Sequence, residues 1–337
     1  MTTPQTARSV HLVSRPQGEP EPRDFRVVEE PVAEPAPGGI LVRNRYISVD
    51  PYMRGRMRDA ESYIPPFRLD APMEGGALGE VVVSRSEMFA EGDLVLHNKG
   101  WREYAALGEA EARTVDPGRV PSETAYLGVA GTTGLTAWVG LFDIAEMRPG
   151  DTVFISGAAG AVGSVAGQMA RLRGAGRVVG SAGSRSKVDY VRDDLGFDAA
   201  FDYHDGPVAD LLAASAPEGI DVYFDNVGGE HLEAALHSMR NHGRIALCGM
   251  ISQYNATEPA PGPRDMFQAV SRRVRMQGFI VMDHTDRMPA FLDDVGRWLA
   301  DGSIRADETV VDGIENAPGA FLDMMRGGNV GKMIVRL

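Results

Sequence analysis

The sequence predicts an α/β protein that contains a doubly wound parallel sheet and a separate β-rich unit. From about residue 126 to 303, strand-length apolar runs alternate with helix-length segments, the pattern of parallel strands joined by helical crossovers. Residues 1–125 instead carry short apolar runs between prolines and glycines, as in an irregular β-barrel. The chain has 337 residues, more than one hydrophobic core usually organises. We therefore predict two domains, 1–125 completed by 304–337, and 126–303.

Candidate strands of the parallel sheet lie at 152–156, 177–180, 199–202, 221–225, 243–248 and 276–282. Apolar residues recur at helical spacing between them, as in 209–214 and 230–239, and we interpret these stripes as core-facing helix surfaces. In the first domain, short strands are predicted at 39–42, 79–83 and 93–96. The tail ends in another strand signal, 332–337, which suggests that the chain returns to pair with the first domain.

A glycine turn follows the first strand of the parallel sheet. Gly157, Gly160 and Gly163 are spaced three apart, and a helical pattern begins among them. Glycines here let the backbone turn tightly, approach a phosphate and pack the helix on the strand, while the helix N-terminus offers N–H groups to an anion. The spacing predicts a dinucleotide pyrophosphate site, although a glycine triplet alone also occurs in ordinary turns.

The segment after the second strand indicates which dinucleotide is bound. In the NAD form of this fold an acidic residue lies about 20 residues past the glycines and binds the ribose hydroxyls. This chain has no acid in 180–187; it has Ser181, Ser184 and Ser186 with Arg185 and Lys187. Hydroxyls and positive charges suit an adenosine 2'-phosphate, so NADP(H) is predicted. The alternative is that the two basic residues merely begin a solvated helix.

Composition excludes several other classes of protein. Apolar residues make up 43% and charged residues 24%, as in ordinary globular proteins. The net charge of −13 argues against nucleic acid or an anionic membrane as a partner. Cys248 is the only cysteine, which favours a reducing, cytoplasmic location. The start of the chain lacks a signal-peptide pattern, and no apolar stretch approaches the roughly 20 residues that span a bilayer.

Several runs together resemble the medium-chain dehydrogenase/reductase superfamily. Within it, the chain resembles the zinc-independent prostaglandin reductase and alkenal double-bond reductase group, which includes bacterial curcumin reductase. The resembling runs keep their order and span almost the whole chain: 48–55, 131–137, 158–168, 183–187, 224–229, 248–255 and 328–332. The resemblance implies a GroES-like β-barrel domain, a Rossmann domain, a cleft that holds NADPH, and a homodimer formed through the Rossmann domains.

The resemblance also implies cofactor-binding residues. Beside the three glycines, the pyrophosphate site includes Ala161, Val162 and Ser164. Lys187 and Tyr203 are expected near the adenosine phosphate, with Ser184 and Arg185 from the charge argument above. The ribose and nicotinamide are expected to be lined by Asn226, Cys248, Gly249, Ile251, Ser252, Phe279, Ile280, Val281 and Asn329.

No metal site is predicted. Zinc-dependent members of the superfamily use a Cys/His/Glu site and a four-cysteine lobe, whereas this chain has one cysteine, and 73–76 contains no histidine. The histidines show no close metal-ligand spacing and are interpreted as surface or packing residues: His11, His97, His204, His231, His237, His242 and His284.

Without a metal, hydride transfer suits a carbon that is already electrophilic through conjugation with a carbonyl. We predict reduction of α,β-unsaturated aldehydes or ketones, with hydride added at the β-carbon and a proton at the α-carbon. Tyr254, which follows the fifth strand, and Tyr52 are the candidate catalytic hydroxyls. Arg54 and Arg56 could attract a carboxylated substrate, although surface charge is the preferred interpretation of Arg56.

Two alternatives remain open from the sequence. The first is an NADPH:quinone reductase of the zeta-crystallin type, which shares the fold and the cofactor. The 50–54 and 328–332 runs favour the double-bond reductases. The second is a catalytically silent NADPH-binding protein. The substrate partner is in any case a small molecule.

Overall fold

The computed structural model describes residues 4–337; the first three residues, part of the segment without a signal-peptide pattern, lie outside this range. The chain forms two compact units. One runs up to Leu127 and includes Glu308–Leu337, and the other is Gly128–Asp307. The sequence placed the corresponding bounds at 125/126 and 303/304.

The strands are β1 (Thr6–Leu12), β2 (Phe25–Pro31), β3 (Ile40–Ser48), β4 (Ala71–Pro72), β5 (Ala77–Ser84), β6 (Leu94–His97), β7 (Tyr104–Leu107), β8 (Ala112–Thr114), β9 (Thr152–Ile155), β10 (Arg177–Ala182), β11 (Ala199–Asp202), β12 (Ile220–Asp225), β13 (Met239–Leu247), β14 (Arg275–Gly278), β15 (Glu308–Asp312) and β16 (Lys332–Arg336). The α-helices are α1 (Tyr52–Arg56), α2 (Thr132–Val139), α3 (Ala161–Leu172), α4 (Arg185–Asp189), α5 (Val208–Ser215), α6 (Gly229–Ser238), α7 (Phe267–Ser271), α8 (Met288–Ala300) and α9 (Ala317–Met325).

The second unit contains the predicted doubly wound sheet. Its strand order is β11-β10-β9-β12-β13-β14, and neighbouring strands are parallel. This is the Rossmann order, in which the chain reverses direction across the sheet between β9 and β12. The predicted fold class is therefore confirmed.

Within the parallel sheet, two strand boundaries differ by four residues from those predicted, and the others by at most two. The last strand ends at Gly278, not at residue 282, because its partner β13 ends at Leu247, which pairs with Gly278. The apolar residues that follow have no ladder to join, and a 3-10 helix spans Val281–Arg287. Strand β13 begins at Met239, not at residue 243, through a pairing with Ile220 beside an irregularity in the ladder.

The core of the Rossmann unit is built on the apolar strands. Phe154 in β9 is fully buried and stacks on Tyr223, with ring centroids 4.9 Å apart, and on Phe201 at 5.9 Å. Strands buried on both faces need such continuous apolar runs, because helices cover each side of a parallel sheet. The core thus holds the carboxyl ends of β9 and β12 side by side.

The first unit is the GroES-like domain. It contains a sheet of order β2-β1-β4 and a larger one of order β15-β16-β3-β5-β6-β8, with β7 also paired to β3. The last strand, β16, returns to this unit and pairs antiparallel with β3. Trp101 and Phe25 both pack edge-on against Phe321, at 6.4 and 6.1 Å between ring centroids.

Within residues 4–337, no helix is both long and apolar enough to cross a membrane.

Candidate active site

The predicted cofactor residues of the Rossmann unit follow the carboxyl ends of its strands. Gly157 comes two residues after β9, and Asn226 comes directly after β12. These strands are neighbours at the point where the strand order reverses, which is where open α/β sheets bind ligands. Gly157 has a φ of +62°, and a β-carbon on it would lie 3.6 Å from the Asn226 β-carbon. The sheet therefore brings these two predicted residues together.

The glycine turn fits a pyrophosphate. A β-carbon on Gly163 would lie 2.4 Å from the Gly157 carbonyl oxygen, so the turn leaves no room for a side chain there. Gly160 is the N-cap of the twelve-residue helix α3, and Ala161 and Val162 begin it. The first N–H groups of a helix have no acceptor within the helix and favour an anion. Ser164 is buried, and its hydroxyl donates to the Ala161 carbonyl at 3.4 Å.

The predicted adenosine end lies after β10 and β11. Ser184 caps α4, and its hydroxyl accepts a hydrogen bond from the Lys187 backbone N–H at 3.4 Å. The Arg185 side chain is 74% exposed and forms an ion pair with Asp189 at 3.3 Å. Tyr203 lies next to this segment, because a β-carbon on Gly183 would be 2.7 Å from its hydroxyl. Three of the four predicted side chains thus share α4 or its cap, and the fourth lies beside it.

Four of the residues predicted for the nicotinamide end, Cys248, Gly249, Ile251 and Ser252, lie in the loop after β13. This loop packs on the backbone that follows β12, and we call the two segments together the loop layer. Backbone N–H groups of Cys248 and Gly249 donate to the Asp225 carbonyl at 2.9 and 3.0 Å. The Ile251 N–H donates to the Asn226 carbonyl at 3.2 Å, and the Ser252 hydroxyl donates to the Val227 carbonyl at 2.5 Å. Hydrogen bonds therefore hold the loop after β13 against the backbone that follows β12.

Other predicted nicotinamide residues are more dispersed. Phe279 and Ile280 follow the end of β14, and Val281 begins the 3-10 helix. The Phe279 ring lies edge-on to Phe224 at 6.4 Å. Asn329 belongs to the GroES-like unit, where its side-chain amide donates to the Gly331 carbonyl at 2.7 Å. Its predicted role remains a prediction.

The two candidate catalytic tyrosines belong to different units. Tyr254 caps the 3-10 helix Ile251–Gln253, and its hydroxyl would lie 3.2 Å from a β-carbon on Gly249. It is therefore part of the loop layer described above. Tyr52 begins α1 and is half-buried. Burial, followed by the nearby Asp50 charge, raises the pKa of its hydroxyl.

Comparison with known proteins identifies the family. Residues 8–127 match the family described as the N-terminal domain of oxidoreductase, and residues 161–297 match zinc-binding dehydrogenase. The chain is 41% identical to the NADPH-dependent curcumin reductase of Escherichia coli, covering 97% of this chain and 95% of that one. It is 38% identical to a 2-alkenal reductase (NADP(+)-dependent) of Nicotiana tabacum, with 97% and 96% covered. The chain belongs to the medium-chain dehydrogenase/reductase superfamily.

Within the superfamily, this medium-chain reductase belongs to the zinc-independent alkenal reductase group, as its resembling runs predict. A solved structure of CurA in complex with NADPH from Vibrio vulnificus is 41% identical, with a TM-score of 0.93. That likeness covers 98% of this chain and 99% of that one.

The medium-chain reductase has no cluster of three or more His, Cys, Asp or Glu residues that could hold a metal, within residues 4–337. Several histidines are buried structural groups. His97 Nε2 lies 2.8 Å from Asn44 Oδ1, and burial lowers the pKa of His97 to about 3. His231 packs edge-on to Tyr203 at 5.4 Å between centroids.

One interpretation of this reductase's sequence is wrong. Arg56 was interpreted as surface charge, but its side chain is 7% exposed and pairs with Glu74 at 2.9 Å. Its guanidinium also lies 4.1 Å from the centre of the Phe67 ring. Arg54 is also buried, at 1% exposed, and donates to the Gly18 carbonyl at 2.6 Å. Exposure depends on how 57–67 folds back over α1, which the charge of the residues does not reveal.

Sequence reasoning missed three polar residues at the end of the central strands. Ser156, Tyr223 and Asp225 are completely buried and hydrogen-bonded to one another. A carboxylate that ends an apolar strand directly before Asn226 was the available signal. Its partner Ser156 could not be inferred, because Ser156 follows another strand, β9.

Proposed function

We propose that this chain is an NADPH-dependent reductase of the carbon–carbon double bond of α,β-unsaturated aldehydes and ketones. The observation that carries the proposal is the meeting of the glycine turn with Asn226 and the 248–252 loop at the switch point of the sheet. Full-length relatives named NADPH-dependent curcumin reductase and 2-alkenal reductase support the cofactor and the substrate class.

The chain's own residues would hold the cofactor from end to end. Gly157, Gly160 and Gly163 would admit the pyrophosphate to the N-terminus of α3, where Ala161 and Val162 supply the first N–H groups of the helix. The 2'-phosphate would be bound by Ser184, Arg185, Lys187 and Tyr203, and the nicotinamide end by Asn226, the 248–252 loop, 279–281 and Asn329. NADPH, when bound, supplies the hydride for the β-carbon of the conjugated substrate.

Tyrosine hydroxyls are the proposed groups for the rest of the reaction. Tyr254, held in the loop layer beside Gly249, is proposed to donate a hydrogen bond to the substrate carbonyl oxygen. Such a bond stabilises the negative charge that develops on that oxygen as the β-carbon is reduced. Tyr52, half-buried at the start of α1, is the other proposed catalytic hydroxyl. A proton then reaches the α-carbon and completes the reduction.

NADPH oxidation followed at 340 nm with a series of 2-alkenals, enones and quinones tests the proposal. We expect turnover with the alkenals and enones, and little with their saturated counterparts. A marked preference for quinones would instead identify a quinone reductase. Tight NADPH binding without consumption across the whole series would identify a silent binding protein.

We also propose that the chain forms a homodimer through its Rossmann units. Strand β14 lies at the edge of its sheet and pairs, among the described strands, only with β13. Phe267, Val270 and Met282 flank it in sequence and are 69%, 68% and 58% exposed. An open strand edge with exposed apolar side chains is typical of an interface.

Sedimentation measurements on Phe267→Asp and Val270→Asp variants test the homodimer. We expect both to shift the protein towards monomer, whereas Met88→Asp, at an equally exposed methionine of the other unit, should leave the dimer intact. A monomeric wild-type chain would contradict the proposal.

A cytoplasmic location is proposed on the single cysteine, Cys248, since a reducing compartment suits a chain without disulfides. Localisation of a tagged chain in fractionated cells tests this.

A further inference from the structure

A buried polar cluster lies where β9 and β12 end. We call Ser156, Tyr223 and Asp225 the Ser156 cluster; each is 0% exposed. Buried polar groups cost free energy unless they are hydrogen-bonded, and the strand residues next to them, Phe154, Ile155 and Phe224, are buried and apolar. The cluster is directly followed by Gly157 on one strand and by Asn226 on the other.

One oxygen of the Asp225 carboxylate, Oδ1, accepts four hydrogen bonds. Asp225 Oδ1 accepts from the Tyr223 hydroxyl at 2.6 Å and from the Ser156 hydroxyl at 3.3 Å. It also accepts from the backbone N–H groups of Val227 and Gly228, at 2.9 and 2.7 Å. These two amides belong to the turn that carries Asn226, so the carboxylate holds the turn from within the sheet.

Ser156 links that turn to the glycine turn. The Asn226 backbone N–H donates to the Ser156 hydroxyl oxygen at 3.0 Å, and the Asn226 side-chain amide donates to the Ser156 carbonyl at 2.8 Å. Asn226 is therefore held through both its backbone and its side chain by the residue that precedes Gly157. The separation of the two turns is set by these bonds.

The cluster has a cost that packing alone does not explain. Asp225 Oδ2 is buried without a hydrogen-bond partner among residues 4–337. Burial raises the pKa of this carboxyl, against the opposing effect of its hydrogen-bond donors. An unpaired buried oxygen is destabilising, so an apolar side chain would be cheaper if stability were the sole requirement.

We propose that Tyr223, Asp225 and Ser156 are positioning residues that align the nicotinamide end of the cofactor by setting the spacing between Gly157 and Asn226. This inference rests on the proposed function and on the proposed role of Asn226. Ser184 and Lys187, the residues proposed to bind the adenosine end, make none of the cluster's hydrogen bonds, so loss of the cluster should slow hydride transfer more than it weakens binding.

Tyr223→Phe is the sharpest test. The ring stacks on Phe154 at 4.9 Å, so the substitution removes the hydroxyl and leaves the packing in place. We expect kcat with a 2-alkenal to fall about tenfold, because small misplacements of reacting groups are costly. The Kd for NADPH should change less than about threefold, since the pyrophosphate and adenosine contacts remain. The fluorescence lifetime of bound NADPH should shorten, because the nicotinamide is held less firmly.

Tyr126→Phe is the matched control. It removes a hydroxyl that is also bonded at 2.6 Å, to the Asp116 carbonyl, from a buried tyrosine of the other unit. Tyr126→Phe should leave kcat and the NADPH fluorescence lifetime unchanged. It should lower the melting temperature about as much as Tyr223→Phe does, because each substitution removes one hydrogen-bonded hydroxyl. If Tyr223→Phe does not fold, Ser156→Ala carries the same expectations, because it removes the hydroxyl that accepts from Asn226.

The outcomes separate this inference from the proposed function. If folded Tyr223→Phe keeps the wild-type kcat and NADPH fluorescence lifetime, the positioning role is overturned. The same holds if kcat falls no further in Tyr223→Phe than in Tyr126→Phe. A fall in NADPH affinity as large as the fall in kcat would also overturn it. If wild-type protein binds NADPH but reduces no alkenal or enone, the proposed function fails, whereas the lifetime comparison still decides the role of the cluster.

Discussion

The carbonyl oxygen of Gly157 occupies the space that a side chain on Gly163 would need, 2.4 Å from the position of a β-carbon. The oxygen belongs to the backbone of the turn and cannot swing aside as a flexible side chain could. The first turn of α3 is thereby packed directly against the end of β9, which keeps its N–H groups close to the glycine turn.

Gly163→Val should therefore abolish tight NADPH binding. The turn has to move to admit the side chain, and the pyrophosphate site is lost with it. We expect the Kd from fluorescence titration to rise at least about tenfold, equivalent to about 1.4 kcal/mol. Gly206→Ala is the control, because nothing lies within 4 Å of the β-carbon that it adds. Unchanged binding by Gly163→Val would contradict the assignment of the turn.

Lys187→Ala should weaken NADPH selectively. If the lysine binds the 2'-phosphate, its removal should raise the KM for NADPH about tenfold and leave the KM for NADH nearly unchanged. Arg192→Ala is a suitable control, because Arg192 is engaged with Asp189 and Asp193 in the neighbouring segment. Equal losses with both cofactors would show that the lysine does not read the phosphate.

Tyr254→Phe should lower kcat on the order of tenfold to a hundredfold, because one hydrogen bond to the developing oxyanion is removed. The KM for NADPH should change little. Tyr190→Phe provides the comparison within the same unit, since its hydroxyl donates to Asp307 at 2.8 Å, away from the proposed chemistry. Turnover untouched by Tyr254→Phe would exclude an essential role for this hydroxyl.

His231 should make the protein less stable in mild acid. Its ring is buried beside Phe154 and Tyr203, and burial lowers its pKa to about 4. The unfolded chain takes up this proton near pH 6.5, but the folded chain only near pH 4. Above about pH 6.5 the ring is neutral in both states and its titration costs no stability. As the pH falls from about 6.5 towards 4, protonation of the unfolded chain lowers the free energy of unfolding, by about 2 kcal/mol at pH 5.

The comparison is between wild type and His231→Phe, unfolded by denaturant at pH 7.5 and at pH 5. The phenylalanine keeps the ring packing and cannot be protonated, so the variant should lose less stability over this interval. His237→Phe, on the exposed side of the same helix, should behave like wild type. A variant with the full wild-type acid sensitivity would contradict the explanation.

Features governed by local rules could be predicted from the sequence. The six parallel strands and the glycine turn were recognised because strand length, helical spacing and glycine placement act within a few residues. The end of β14 was misplaced because it depends on where its partner β13 stops, at Leu247. The burial of Arg56 was missed because its partners Glu74 and Phe67 come from later in the chain.

The sequence by itself determined the fold class, the glycine turn after the first parallel strand and the family. Strand order decided the rest, since only the sheet places Ser156 beside Asn226, 70 residues further along the chain. The same order puts the 248–252 loop onto the carbonyl groups that follow β12. Such contacts join distant segments through hydrogen bonds about 3 Å long, and no local pattern specifies them. The geometry of the candidate site is therefore a property of the tertiary structure.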